Sequence, residues 1–366
     1  MIMTHRVFGR LYLIALFLWQ ITVTSASACT DFLIKTGDGA VIVGRSLEWG
    51  SDLESKVKLH PRGEQISSSA PGEQTGLSWK SKHGYVGLNI NVRDAVLDGI
   101  NEKGLSIGGL WLPGSVYQEV SPSQASRALS VTDLGSWILG NFATISEVVP
   151  ALSQIRVWCP QLTGGKIALH FALHDASGES LVIEFVNGEQ KIYHNPVGVL
   201  TNAPTFDWHI ANLNNYLHLS PSDPQPITIQ GAVLSPPGLG GGFLGIPGDW
   251  TPPSRFVRTN AMLSFAQPAR NAEGGVSLAQ HILNAVDIPL GDTRGKMQQD
   301  GTYYSDYTQW VVIKDLTDKI FYFRSYNNLT LRAIDLKRLD FAAGAPAKWI
   351  SIEGGAPATD ATLLLK

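Results

Sequence analysis

The chain has 366 residues, with 28 Lys and Arg against 31 Asp and Glu and a formal net charge of −3. That balance, with no basic run to interrupt it, excludes nucleic-acid binding. Two cysteines exclude a disulfide framework, while 37 Gly, 20 Pro and 44% hydrophobic residues describe one globular domain rich in strands and turns.

Residues 1–28 read as a secretory signal peptide. His5, Arg6 and Arg10 precede an apolar run, Leu11 to Val23, too short to span a bilayer, and Ala26-x-Ala28 supplies the small residues a signal peptidase needs. Residues 29–366 then form a single domain destined for the periplasm or secretion. Losing Arg6 and Arg10 leaves 26 basic against 31 acidic side chains, a net of −5. No second long apolar segment follows, so membrane contact is confined to export. Cleavage after Ala28 leaves Cys29 with a free α-amine, ordinarily titrating at about 7.7–8.0, beside a thiol that titrates at about 8.5. One residue thus holds a nucleophile and a base. Two other readings of Cys29 stay open. It is incidental, or it is a lipoprotein cysteine, which would make the chain a lipid-anchored, non-catalytic binding protein. Against the second, Ala26 is a poor substitute for the Leu that a lipobox favours. Cys159 reads as a buried structural thiol; a bridge between it and Cys29 would extinguish the nucleophile.

Asp31 to Ile34 and Ala40 to Val43 are β-branched and apolar runs around Asp38-Gly39, a two-residue hairpin signal. That loop pairs Phe32 with Arg45 and Cys29 with Glu48, returning two charges to the new N-terminus. A one-residue slip would send them to the other face. Ser51 to Lys82 is polar and without a sustained period, a long loop or loose strands. Tyr85 to Asn91 alternates as a strand, and Leu97 to Trp111 reads as strand, Asn101-Glu102-Lys103-Gly104 turn, strand. Trp111 falls where the second strand runs out, as a core residue or a pocket wall. Val131 to Asn141 and Ile145 to Gln154 are amphipathic, the second opened by a Thr144–Glu147 capping box. Lys166 to His174 and Ser180 to Phe185 form another hairpin. His170 and His174 have helical metal-pair spacing, but on a strand they sit about 13 Å apart, too far to share a zinc.

Val199 to His209 is dense in polar and aromatic residues where a strand ends. Asn202 there offers a side-chain amide, or an Asx-turn before Pro204. Gly238 to Gly248 lacks the Lys-Ser/Thr ending of a phosphate loop. Arg255 falls at the start of a predicted helix, Phe256 to Ala266, the unfavourable end for a cation, which implies a specific partner. Ser277 to Val286 is a further helix, and Gln309 to Ile313, Ile320 to Tyr326 and Leu329 to Ile334 are strands. Hairpins, a helical block and more strands suggest two sheets with helices outside.

Cys29-Thr30, Gly44-Arg45-Ser46-Leu47-Glu48-Trp49, Asn101 to Leu105, Leu200 to His209 and Gly248 to Arg255 resemble, in order, the choloylglycine hydrolase family of bile salt hydrolases and penicillin V acylases. The exported form is similar to the family's Gram-negative branch. The resemblance implies the α+β, four-layer αββα N-terminal-nucleophile hydrolase fold, with two stacked, mainly antiparallel sheets. It implies hydrolysis of an N-acyl amide, a small-molecule substrate, no cofactor and no metal, and a homotetramer by analogy. By position, Cys29 becomes the nucleophile, with Arg45 and Arg255 lining the thiol. Asn202 donates its side-chain amide to the oxyanion and Trp111 its backbone N–H. Glu48 stands where the family usually has Asp, the group that holds the N-terminal amine. Trp111 stands where bile salt hydrolases carry Asn, and with Trp49 it forms an aromatic wall for substrate. Two tryptophans suit a phenoxyacetyl or fatty acyl-homoserine lactone acyl group better than a steroid, with conjugated bile salts as a third substrate class.

Overall fold

In the computed structural model, which describes residues 28–90, 95–161, 167–298 and 300–362, strand β1 (Cys29–Lys35) turns back into β2 (Val41–Trp49). Residues 1–27, expected to belong to a signal peptide, and Lys166 lie outside the described residues. The turn is one residue longer than Asp38-Gly39 implied. Thr36 N–H donates to Ala40 O at 3.0 Å and Gly39 N–H donates to Thr36 O at 3.0 Å. Gly37-Asp38-Gly39 is therefore a three-residue loop, with Gly39 left-handed at φ 89°. Asp38 Oδ1 accepts from Ala40 N–H at 3.2 Å and from the Thr36 hydroxyl, a local alternative to pairing that favours this longer loop. The register moves by one: Cys29 faces Leu47, and Asp31 rather than Phe32 faces Arg45. Arg45 consequently shares the Cys29–Asp31 face, and Glu48 falls on the opposite one.

Twelve further strands complete two sheets: β3 (Lys56–His60), β4 (Tyr85–Ile90), β5 (Ala95–Asn101), β6 (Ser106–Trp111), β7 (Leu169–His174), β8 (Ser180–Val186), β9 (Glu189–His194), β10 (Val199–Leu200), β11 (Tyr307–Asp315), β12 (Ile320–Ser325), β13 (Asn328–Asp335) and β14 (Lys348–Ser351). The smaller sheet has the order β10-β1-β2-β11-β12-β13, and the larger β9-β8-β7-β6-β5-β4-β3-β14. Neighbours within both are antiparallel. Ser51 to Lys82, expected as loop or loose strands, contains β3 and a separate ribbon of Gln65–Ala70 with Gln74–Lys80.

Helices cover the outer faces. α1 (Leu134–Asn141) packs on β5 and β6, and α2 (Ile145–Leu152) follows it. Thr144 Oγ1 accepts from Glu147 N–H at 3.4 Å, and Glu147 reaches back to Ala143 N–H at 2.7 Å, one residue beyond a standard capping box. α3 (Phe206–Asn212) was not anticipated. α4 (Pro252–Phe265) lies on β1 and β10, and α5 (Ala272–Asn284) on β2 and β11. The stack is helix, sheet, sheet, helix, the expected αββα arrangement. Among the described residues no helix is long and apolar enough to cross a membrane.

Candidate active site

Cys29 opens the central hairpin and is 3% exposed. Its backbone nitrogen donates to Asn202 Oδ1 at 2.5 Å, a contact across 173 residues of sequence. Burial pushes the thiol above its ordinary range; Arg45 pulls it back, Glu48 adds to the rise, and Arg255 opposes it. Cys29 and Cys159 are both free thiols, so no bridge blocks the nucleophile position.

Arg45 is wholly buried between the sheets. Its Nη1 donates to Leu97 O and to Asp98 Oδ2, both at 3.2 Å, and its Nη2 to Gly109 O. β5 and β6 pair only from Asp98–Gly108 onward, so the guanidinium enters where the two strands part. Lys314 Nζ holds the same Asp98 at 2.9 and 2.8 Å, and the Trp310 ring lies 5.0 Å from the guanidinium carbon. Beside them His174 Nε2 contacts Asp31 Oδ1 at 2.6 Å. Asp31, Asp98, His174 and Lys314 are thus members of the site's floor that sequence reading did not assign. Asp31 is one strand position from Arg45, but Asp98 and Lys314 approach only when the sheets stack.

Asn202 follows the two-residue strand β10, and buried polar groups fix its loop. His170 Nε2 meets Thr201 O at 2.8 Å and its Nδ1 meets Glu184 Oε1 at 3.0 Å; the same Glu184 oxygen accepts from Phe206 N–H at 2.9 Å. His209 Nε2 donates to Asn202 O at 2.9 Å, with its ring stacked on Phe256 at 4.7 Å. Burial lowers His209 to about 4, so it is a neutral donor near pH 7. His170 and His174 are therefore each tied to a different buried carboxylate, Glu184 and Asp31.

The Asn202 amide is oriented by its neighbours. Oδ1 accepts from Cys29 N and from Arg255 Nη2 at 2.8 Å, and Nδ2 donates to Trp111 O at 2.8 Å. Arginine has no acceptor, so the amide cannot be reversed there. An amide carries two N–H groups, and one remains for a further acceptor. Leu112 N–H bonds Ala168 O, which makes 112–168 a hydrogen-bonded pair and turns the N–H of Trp111 to the opposite edge, beside its own carbonyl. The two oxyanion donors expected from sequence therefore face one locality.

Arg255 sits in the first turn of α4. The helix begins at Pro252-Pro253, earlier than predicted, because proline suits the first helical positions. Its donors reach Trp250 O (3.0 Å), Cys29 O, Thr30 Oγ1 (2.7 Å) and Asn202 Oδ1, partners that offset an unfavourable helix end. Glu48, on the opposite face from the Cys29 side chain, is also fully buried. Its N–H donates to Ala28 O at 2.9 Å, and Oε1 accepts from Thr308 Oγ1 at 2.9 Å. Burial pushes its carboxyl up to about 8, against the pull of Arg255. Trp49, next to Glu48, and Trp111, whose carbonyl accepts from Asn202, meet edge to face with 5.2 Å between centroids. All seven residues singled out from sequence thus converge, although the register behind the inference differs.

The chain is similar to known proteins over most of its length. Residues 29–347 match the family of linear amide C–N hydrolases termed the choloylglycine hydrolase family. The chain is 31% identical to a bile salt hydrolase/transferase of Clostridium perfringens, over 85% of this chain and 93% of that protein. It is 29% identical to a penicillin V acylase of Pectobacterium atrosepticum, over 91% and 89%. Its fold superposes on a variant of conjugated bile acid hydrolase from Clostridium perfringens with a TM-score of 0.77, 28% identity and coverage of 88% and 97%. For the penicillin V acylase of Agrobacterium tumefaciens the TM-score is 0.72 at 28% identity, covering 90% and 92%. The chain belongs to the choloylglycine hydrolase family, and it is a linear amide C–N hydrolase that acts on N-acyl compounds.

Proposed function

We propose that the mature, exported enzyme begins at Cys29 and uses that residue as both nucleophile and base. The observation that carries this is the Cys29 nitrogen, the atom cleavage would turn into the amine. It is bound by Asn202 Oδ1, while the same amide keeps one N–H free beside the Trp111 edge. The amine takes the thiol proton, directly or through a water, and the thiolate attacks the amide carbonyl. The Asn202 amide and the Trp111 N–H stabilise the tetrahedral oxyanion, each such donor being worth about 3–4 kcal/mol. The amine then protonates the departing nitrogen, the C–N bond breaks, and water hydrolyses the thioester to release the acid. Arg45 and Arg255 favour the thiolate against burial. Glu48 orients the amine and, where ionised, stabilises the ammonium formed once the amine has taken the thiol proton.

For substrate, the Trp49–Trp111 wall favours flat aromatic or slender alkyl acyl groups, as in penicillin V and acyl-homoserine lactones, over a steroid. Amine release from penicillin V, a long-chain acyl-homoserine lactone and a glycine-conjugated bile salt tests this in wild type and Trp111→Asn. The expected result is preference for the first two, with Trp111→Asn keeping kcat on at least one substrate and moving preference toward the bile salt. A uniform loss on all three would contradict the assignment of only the backbone of Trp111 to catalysis.

A further inference from the structure

Thr308 is the cross-strand partner of Glu48 in the β2–β11 pair, and the register shifts immediately after it, between Thr308 and Trp310. A bulge beside a functional group re-aims a side chain. Here the side chain of Gln309 fastens the irregularity, its Nε2 donating to Trp49 O at 2.9 Å and Ser51 O at 2.6 Å. The Thr308 hydroxyl accepts from Ile288 N–H at 2.9 Å and lies 2.9 Å from Glu48 Oε1. With the backbone donor on its lone pair, its single hydrogen is directed to the carboxylate. Both contacts are buried.

Four ionisable side chains border the pair. Cys29 stands on β1 and Arg255 on α4, on the nucleophile side. Behind the pair Asp287, after α5, borders the same hydroxyl and is held by Arg324 Nη2 at 3.0 Å. Asp287 also lies within reach of the Thr308 hydroxyl, but the 2.9 Å contact is to Glu48 Oε1. Glu48 Oε2 is buried and has no hydrogen-bond partner among the described residues, and the hydroxyls of Ser46, two positions back on β2, and Thr308 both favour its ionised form.

We infer that Thr308 is a positioning residue for the reaction, favouring the ionised form of the Glu48 carboxyl and aiming it at the N-terminal amine. The inference rests on the reading of Glu48 given above. Removing the hydroxyl disfavours the carboxylate, so Glu48 keeps its proton to higher pH and the amine loses its anionic partner there.

The test is kcat/KM against pH on penicillin V for the exported enzyme, Thr308→Val and Thr308→Ser. Valine keeps the shape and removes the donor; serine keeps the donor and removes the methyl. The expected result is an acid limb displaced upward by about one pH unit in Thr308→Val, the size expected for one hydrogen bond to a charged group. Thr308→Ser should keep the wild-type limb. A Thr308→Val limb that does not move, or a Thr308→Ser limb that moves as far, overturns the inference and assigns Thr308 to packing alone. Cys29→Ala, run alongside, separates the two failures: activity retained there overturns the nucleophile reading itself, whatever the Thr308 limbs do.

Discussion

Arg45 shows what a single buried charge requires. Its guanidinium is 0% exposed, as are Asp98 and Lys314, so the three ions lie in a region where an unpaired charge is costly. One carboxylate serves two cations there, and Arg45 in turn faces the thiol. Asp98→Asn would leave both cations underpaired, with an expected loss of about 3–5 kcal/mol of unfolding free energy, measured by urea denaturation. Stability equal to wild type would mean that water or another anion serves the cluster. Nothing local in the sequence marks this group. Asp98 sits in an ordinary strand run, and Lys314 is 216 residues away. The position proposed for the nucleophile, by contrast, stands out in the sequence, because small residues of the cleavage type and a cysteine coincide at one short stretch.

At the scale of elements, the β1–β2 hairpin was foreseen but its pairing was not. The alternation of apolar residues marks two strands, whereas the loop length depends on Asp38 bonding its own neighbours, which alternation does not report. Arg45 and Glu48 still return to Cys29, but the shift exchanges them, so that Arg45 rather than Glu48 shares its face. The same pair of strands exhibits a close approach that fixes a glycine. A Cβ built on Gly44 would fall 2.4 Å from the Phe32 ring, directly across the pair. Gly44→Ala is therefore expected to cost about 1–3 kcal/mol by overpacking, and adding Phe32→Leu should recover part of it. Additive losses in the double variant would show that the strain lies elsewhere; thermal unfolding of the three variants decides. Helix α5 begins earlier than its periodicity predicted for a related reason. Gly274 and Gly275 weaken the helical signal, yet Gly275 lets the helix press on Ile42, which a Cβ would approach to 2.7 Å.

For the whole molecule, the layered fold was legible because hairpins and amphipathic helices alternate in the right order, and the family comparison agrees over most of the chain. What the order of elements leaves unstated is how the stack assembles one site from distant parts. β1 brings Cys29, β6 brings Trp111 and the loop after β10 brings Asn202, α4 adds Arg255, and β11 supports Glu48. All of this is arranged around a single backbone nitrogen. The central claim is that this nitrogen is a free amine on the residue that takes the acyl group. Intact mass and N-terminal sequencing of the exported enzyme, before and after brief acid quenching with penicillin V, test it most directly. The account predicts a chain starting Cys29-Thr30-Asp31 with no lipid or N-acyl mass, and a phenoxyacetyl adduct on the thiol of its first peptide. A fully active enzyme that retains residues before Cys29, or an adduct on any other residue, would contradict it.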